Sequence, residues 1–207
     1  MGVYAEKVVP HVINFACGMK VTRPHRARVC EDLTGEVIEL GFGSGHNVPY
    51  YPDTVTRVTA IEPSDVGWRL SEQRRRQSHV PIARGGLDGQ SLPYPDGSFD
   101  SALSTWTLCT IPDPHAALLE LRRVLKPGGE FHFLEHGLAP AGDVRIRAWQ
   151  HRLEPMQIHL FAGCHLTRPV QDMLRDAGFE ILTVDVFYEK GAPKAMGADS
   201  LGIATAR

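Results

Sequence analysis

The sequence predicts an α/β fold: a seven-stranded, mostly parallel sheet with helices on both faces and an antiparallel hairpin at one edge. Three observations predict it. Short apolar runs alternate with segments of helical spacing, the pattern of parallel strands covered on both sides. The first run ends in a glycine-rich turn. The last two runs are joined by a loop containing Gly and Pro, with no helix between, which suits a hairpin.

Taken in order, residues 1–34 read as helical, with a break near Thr22-Arg23-Pro24. Glu36 to Leu40 is a short apolar run ending in glycines, a strand and a tight turn. Val55 to Ile61 alternates and reads as the second strand. Ser64 can cap a helix reaching about Arg76, and Val80 to Ala83 is a short third strand. Ser98 to Trp106 is the fourth. Pro114 to Leu125 has helical spacing (Ala117, Leu118, Leu121, Leu125) and stops at Lys126-Pro127-Gly128-Gly129. Glu130 to Glu135 is the fifth strand. Residues 143–161 read as a helix interrupted by Pro155, and Pro169 to Ala177 as a helix stopped by Gly178. Phe179 to Tyr188 and Ser200 to Ala206 close the sheet.

The 207 residues suit one domain, 1–207, with a full core. Segments 1–34 and 137–168 lie outside the sheet. The first is expected to form an N-terminal helical lid, and the second an insertion forming part of a substrate pocket. Net charge is −2, so no overall basic field draws the chain to nucleic acid. Arg74-Arg75-Arg76 falls at a helix C-terminus, where the macrodipole favours it. No apolar run approaches the roughly 18 residues of a membrane helix, and no secretory leader is apparent. Cys17, Cys30, Cys109 and Cys164 are scattered without a Cys-x-x-Cys pair, as free thiols in a reducing cytoplasm would be.

Chemistry concentrates at the first strand's end. Gly41, Gly43 and Gly45 permit close backbone approach to a ligand and φ > 0. A dinucleotide loop wants G-x-G-x-x-G; here the spacing is G-x-G-x-G, and His46 stands where the third glycine would be. Glu39 precedes the loop. A carboxylate there suits a ligand bearing an ammonium group, not a phosphate. Glu62 ends the second strand, placed to accept ribose hydroxyls. Asp88-Gly89 follows the third strand, where it could meet an adenine edge or simply form a turn.

This ordered set resembles the class I S-adenosylmethionine-dependent methyltransferases of the small-molecule type, whose fold is Rossmann-like. It comprises Glu39-x-Gly41-x-Gly43-x-Gly45, Glu62, Asp88 with Leu92-Pro93, Phe99-Asp100, and Leu125 through Gly129. A narrower likeness, to the thiol S-methyltransferases, appears in Asn47 with Tyr51-Pro52, Leu108-Cys109, Glu135-His136, and Phe161 through Arg168. Those relatives are membrane-anchored in animals, and no hydrophobic N-terminal anchor is expected here. The resemblance implies S-adenosyl-L-methionine as cofactor. Glu39, Gly41, Phe42, Gly43, Gly45 and Asn47 would line it. Glu62 with Pro63 would hold the ribose, Asp88 and Gly89 the adenine, and Thr105 and Trp106 the methionine end. It implies a small-molecule acceptor, a thiol or sulfide first. The alternatives are an O- or C-methyltransferase of quinone or natural-product type, or a cofactor-binding protein without catalysis.

His136, ending the fifth strand, is the candidate catalytic group. The alternative for it is a hydrogen-bonded structural histidine. Tyr4, His11, Trp106 and His165 are candidate pocket residues, and Trp149, Met156, His159 and Phe161 give the second lid segment an apolar, aromatic character. No metal is expected: His132 and His136, four apart on a strand, are separated by roughly 13 Å.

Overall fold

A computed structural model describes residues 9–161 and 163–206. Seven strands form one sheet: β1 (Gly35–Leu40), β2 (Val55–Ile61), β3 (Ile82–Gly86), β4 (Phe99–Thr105), β5 (Leu125–His136), β6 (Phe179–Tyr188) and β7 (Ala198–Ala206). Their order is β3-β2-β1-β4-β5-β7-β6. The first five are parallel, and β7 runs antiparallel to both β5 and β6. The expected edge hairpin is therefore β6–β7.

The central strands are sealed on both faces. In β1, Val37, Ile38, Glu39 and Leu40 are all buried. Alternation sends Ile38 and Leu40 to one face, packed with Leu121, Phe131 and Phe133. It sends Val37 to the other, with Val29, Cys30, Leu103 and Leu134.

Among the described residues seven α-helices surround the sheet: α1 (Val9–Cys17), α2 (Arg23–Cys30), α3 (Asp65–Leu70), α4 (Glu72–Arg76), α5 (Pro114–Val124), α6 (Val144–Leu160) and α7 (Val170–Asp176). The N-terminal break falls at Gly18-Met19, followed by a 3₁₀ turn at Lys20–Thr22. Pro24 then sits in the first turn of α2, where its missing N–H is no loss. Ser64 does cap α3, its hydroxyl accepting from Gly67 N at 3.0 Å. The helix expected to run to Arg76 is split at Ser71, whose Oγ donates to Trp68 O at 2.7 Å and competes with the backbone ladder.

Two further differences have local causes. β5 starts at Leu125, and the register jumps from Phe99↔Leu125 to Ser101↔Glu130. The Lys126–Gly129 helix stop is thus a bulge within a strand, with Gly128 at φ 79°. α6 passes through Pro155 without a break. Side-chain ties on α6 hold that helix in place. The Gln150 amide bridges Ala139 N (2.9 Å) and Gly137 O (3.0 Å), and Glu154 accepts from Leu166 N at 2.9 Å. These ties act against the roughly 3 kcal/mol that an interior proline costs.

Strand order reverses between β1 and β4, so the crevice for a ligand opens at the carboxyl ends of those strands. The glycine loop, Glu62 and Trp106 all converge there.

Candidate active site

The three loop glycines all have positive φ, at 69°, 57° and 76° for Gly41, Gly43 and Gly45. Their surroundings differ. A Cβ on Gly41 would collide with the Thr107 side chain, and one on Gly45 would press on the Phe42 ring and Ser71 at 3.2 Å. Those two glycines serve packing. A Cβ on Gly43 would meet nothing nearer than Gly41 O at 3.8 Å. Gly43 therefore presents open backbone, the surface along which a ligand can lie. Phe42 turns its ring into the core beside Trp68, with ring centroids 5.6 Å apart, so it offers the crevice main chain only.

Glu62, at the end of β2, is buried. Its Oε2 accepts from Gly43 N at 2.5 Å and its Oε1 from Ser64 N at 2.7 Å. Burial pushes its pKa up, and the two N–H donors oppose that. The carboxylate is thereby locked against the open glycine. Pro63 is exposed beside it. Asp88 is exposed, and its Oδ1 accepts from Gln90 N at 2.9 Å in a local turn. Gly89 is needed where it stands, since a Cβ there would run into Leu40.

Beneath the loop lies a buried polar network. Glu39 is enclosed, with Tyr51 OH donating to its Oε2 and Asn47 Nδ2 to its Oε1 at 3.0 Å. Its pKa is raised to about 7, first by burial. Glu39 is a buried acid at the end of β1 that Asn47 and Tyr51 tie to the glycine loop. Asn47 also donates to Thr105 Oγ1 at 3.1 Å. Arg26, from α2, closes the network: its Nη1 donates to Asn47 Oδ1 (2.6 Å) and Thr105 Oγ1 (3.2 Å), and its Nη2 to Cys17 O (3.3 Å). The Arg26 Nε is buried without a partner among the described residues. A buried guanidinium with a spare donor is a receptor for an anionic group, such as an amino-acid carboxylate.

Trp106 follows β4 at φ 51°, the single non-glycine residue with positive φ among the described residues. That conformation costs roughly 1–2 kcal/mol. It is held by Trp106 N donating to Leu134 O (2.8 Å), Nε1 donating to Asp199 Oδ1 (3.2 Å), and the Arg26 guanidinium over the ring at 4.7 Å. Surrounding contacts thus hold this strained backbone in place at the end of β4.

The other pocket candidates distribute differently. Tyr4 lies outside the described residues. His11 is exposed on α1. That helix is tied over the glycine loop through His46 Nε2 and Asn14 O, 3.0 Å apart. The His165 Nδ1 lies 2.8 Å from Glu154 Oε1, which anchors its loop to α6. Trp149 is 54% and Met156 48% exposed on α6.

His136 ends β5, buried, with Glu135 on the opposite face as alternation requires. Glu135 accepts from Ser104 Oγ (2.5 Å), Thr107 N (2.9 Å) and Leu108 N (3.0 Å), which shapes the loop after β4. His136 Nδ1 lies 3.8 Å from Cys164 Sγ, and Cys109 joins them, the three ligand-type atoms falling within 4.8 Å of one another. Cys164 is drawn down to about 4, chiefly by the neighbouring Cys109 thiol and then by His136, while its charge raises the His136 pKa against burial. Sequence spacing alone does not bring these three side chains together; the fold assembles them from distant segments.

Residues 38–133 match the family described as "Methyltransferase domain". A thiol S-methyltransferase, TMT1B of Homo sapiens, is 34% identical over 154 residues, covering 72% of this chain and 62% of that protein. The chain belongs to the class I S-adenosylmethionine-dependent methyltransferases. It spans about three fifths of the length of the curated thiol S-methyltransferases it matches. A phosphatidylethanolamine N-methyltransferase of Cereibacter sphaeroides is 28% identical, covering 60% of this chain and 63% of that protein. The fold matches a solved S-adenosylmethionine-dependent methyltransferase of Thermotoga maritima with a TM-score of 0.70, at 21% identity, across 99% of this chain and 98% of that one.

For this methyltransferase, sequence reasoning missed Arg26. A lone arginine in a basic helix gives no local signal, and only the fold brings it under the glycine loop. Tyr51 and the two clustered cysteines carry family-like spacing in the sequence, but no role.

Proposed function

We propose that the chain transfers a methyl group from S-adenosylmethionine to a small-molecule thiol. The observation that carries the methyl-transfer reading is the pairing of open Gly43 with the carboxylate of Glu62 on one side and the unsatisfied Arg26 on the other. A ligand with a sugar diol at one end and an amino-acid carboxylate at the other fits that arrangement.

S-adenosylmethionine supplies an electrophilic methyl on a sulfonium, and the chain's residues do the placing. Glu62 would accept the ribose hydroxyls, with Asp88 and Gly89 toward the adenine. Arg26 would take the methionine carboxylate, while Glu39 supports an ammonium through Asn47. Thr105 and Trp106 then bound the methyl end. Placement of this kind can supply up to roughly 7–11 kcal/mol of the barrier.

The thiol acceptor is supported by the 34% identical relatives and by chemistry. A thiol with a pKa of about 8.5 is already a few per cent thiolate at neutral pH, and thiolate is intrinsically nucleophilic. Beyond Trp106, His136 and Cys164 form the polar corner where an acceptor sulfur would be received as its anion. In the overall exchange the acceptor loses a proton and gains the methyl, and S-adenosylhomocysteine leaves. The four free cysteines suit a reducing, cytoplasmic setting. No helix among the described residues is long and apolar enough to cross a membrane.

Calorimetry with S-adenosylmethionine and S-adenosylhomocysteine tests the cofactor half, and absence of binding by either would overturn it. Turnover on a panel of thiols, phenols, amines and quinols tests the acceptor. Methylation of phenols or amines alone would replace the thiol reading with an O- or N-acceptor.

A further inference from the structure

Cys109, His136 and Cys164 come from three separate segments: the loop after β4, the end of β5, and the loop between α6 and α7. They are 27 and 28 residues apart in sequence, so no local motif announces them. The fold fastens the segments to one another. His165 N donates to Cys109 O at 2.8 Å, Leu138 N donates to Arg168 O at 2.8 Å, and Arg168 Nη1 donates to Leu108 O. Two thiols and an imidazole are thus held at one point by two backbone bonds and the Arg168 side chain, none of which involves their own side chains.

We propose that Cys109, His136 and Cys164 are the three protein ligands of a thiophilic divalent cation of the Zn²⁺ class, with the fourth position left for an acceptor thiolate. The last clause rests on the thiol reading above; the metal site itself does not. Tetrahedral zinc has Zn–S of about 2.3 Å and Zn–N of about 2.0 Å, which puts ligand atoms roughly 3.5–3.8 Å from one another. Cys164 Sγ and His136 Nδ1 are already 3.8 Å apart, and the widest separation is no more than 4.8 Å. Side-chain rotation closes the set.

The charge balance also fits. Two thiolates, a neutral imidazole and a dication sum to zero, which a buried site tolerates. Arg168 interacts electrostatically with both cysteines, and offsets the extra negative charge that a fourth, thiolate ligand brings. His136 Nε2 is buried with no partner among the described residues. Asp199 faces His136 in the β5–β7 register, so a carboxylate is at hand to fix the ring tautomer, as metal-bound histidines require. Three protein ligands with a fourth place open is the pattern of catalytic zinc. In the transfer step, the acceptor thiol loses its proton to solvent and binds as thiolate. Its sulfur forms the new bond to the methyl as the sulfonium C–S bond breaks, and the neutral thioether then leaves the metal.

The test uses the full chain, stripped with chelator and titrated with Zn²⁺ or Co²⁺ under reducing conditions. We expect stoichiometric uptake, with Co²⁺ giving a thiolate-to-metal charge-transfer band and tetrahedral d–d bands. Cys109→Ser with Cys164→Ser should abolish the charge-transfer band, whereas Cys30→Ala should keep it. Absence of a thiolate–cobalt band in the wild-type chain would overturn the site whether or not any variant folds. A band surviving the double substitution would do the same. Adding 2-mercaptoethanol to the cobalt form should shift the d–d bands; no shift overturns the open fourth position. Failure to methylate thiols despite cobalt binding sinks the acceptor reading and leaves the metal site standing.

Discussion

Arg26 Nη1 and Asn47 Oδ1 are 2.6 Å apart, and this bond joins the N-terminal helical segment to the glycine loop beneath which it is buried. The guanidinium keeps a free Nε–H and is largely dehydrated, so a carboxylate brought to it exchanges little water. Hydrogen bonds to charged groups contribute about 1.5–3 kcal/mol. Arg26→Ala should therefore weaken S-adenosylmethionine binding about 10- to 100-fold. Arg26→Lys should recover only part of this, because an ammonium cannot reproduce the planar fork. Calorimetry decides it. Unchanged affinity in Arg26→Ala would show that the residue only braces Asn47.

Glu62 both holds Gly43 N and faces the open crevice. Glu62→Ala should remove the ribose acceptor and loosen the loop together, lowering cofactor affinity by at least about tenfold. The same substitution should leave the β1–β2 pairing intact, since that register is made by backbone. A variant that binds normally would take Glu62 out of the cofactor site.

The loop glycines give a sharper contrast. Gly41→Ala places a methyl inside Thr107, so the damage should appear as lost stability or failure to fold. Gly43→Ala meets only open space, and its cost to folding is the left-handed backbone alone, roughly 1–2 kcal/mol. Its damage should appear in cofactor binding. Thermal melts of both variants, with and without S-adenosylhomocysteine, separate the two effects. Equal behaviour would mean that Gly43 does not border the ligand.

Much of this architecture is legible in the sequence, because parallel strands and their helices write strong periodicities. Ile38 and Leu40 against Val37 fix the faces of β1, and Gly41 fixes its end. What escapes is decided by tertiary ties. Lys126-Pro127-Gly128-Gly129 reads as a helix stop, yet pairing with Phe99 and Ser101 carries β5 across it as a bulge. Pro155 reads as a break, yet anchors on Gln150 and Glu154 hold α6 together. Arg26 gives no signal in the sequence, and although Cys109, His136 and Cys164 each fall in a family-like segment, their meeting is legible only in space.

His136 separates binding from turnover. It ends β5 and makes no hydrogen bond to Glu62 or Gly43 among the described residues, so His136→Ala should bind S-adenosylmethionine with wild-type affinity. Turnover should fall, by about 10²-fold or more if the residue controls the charge on the acceptor sulfur. Unaltered turnover on a thiol acceptor would remove His136 from the reaction.

Glu39 provides a test by pH. Its folded pKa is about 7 against an ordinary 4.5, because burial disfavours the charge. The native state therefore binds a proton more readily than the unfolded chain does. Stability from this group is fully present below about 4.5 and is lost as pH rises through about 7. Glutamine mimics the protonated side chain and cannot ionise. Relative to wild type, Glu39→Gln should gain stability as pH climbs from 4.5 to 7.5. The gain should be no more than about 3 kcal/mol, since each pH unit separating the folded and unfolded pKa values corresponds to about 1.36 kcal/mol. Taking the difference between the two proteins cancels every other titrating group, including His46, whose burial drives its pKa the opposite way, to about 4. Urea unfolding of both proteins across that range, without cofactor, measures it. A flat difference would mean that Tyr51 and Asn47 hold Glu39 ionised in the free protein. Added S-adenosylmethionine should then shrink the gap in the other direction, since an ammonium bound near Asn47 favours the carboxylate that glutamine lacks.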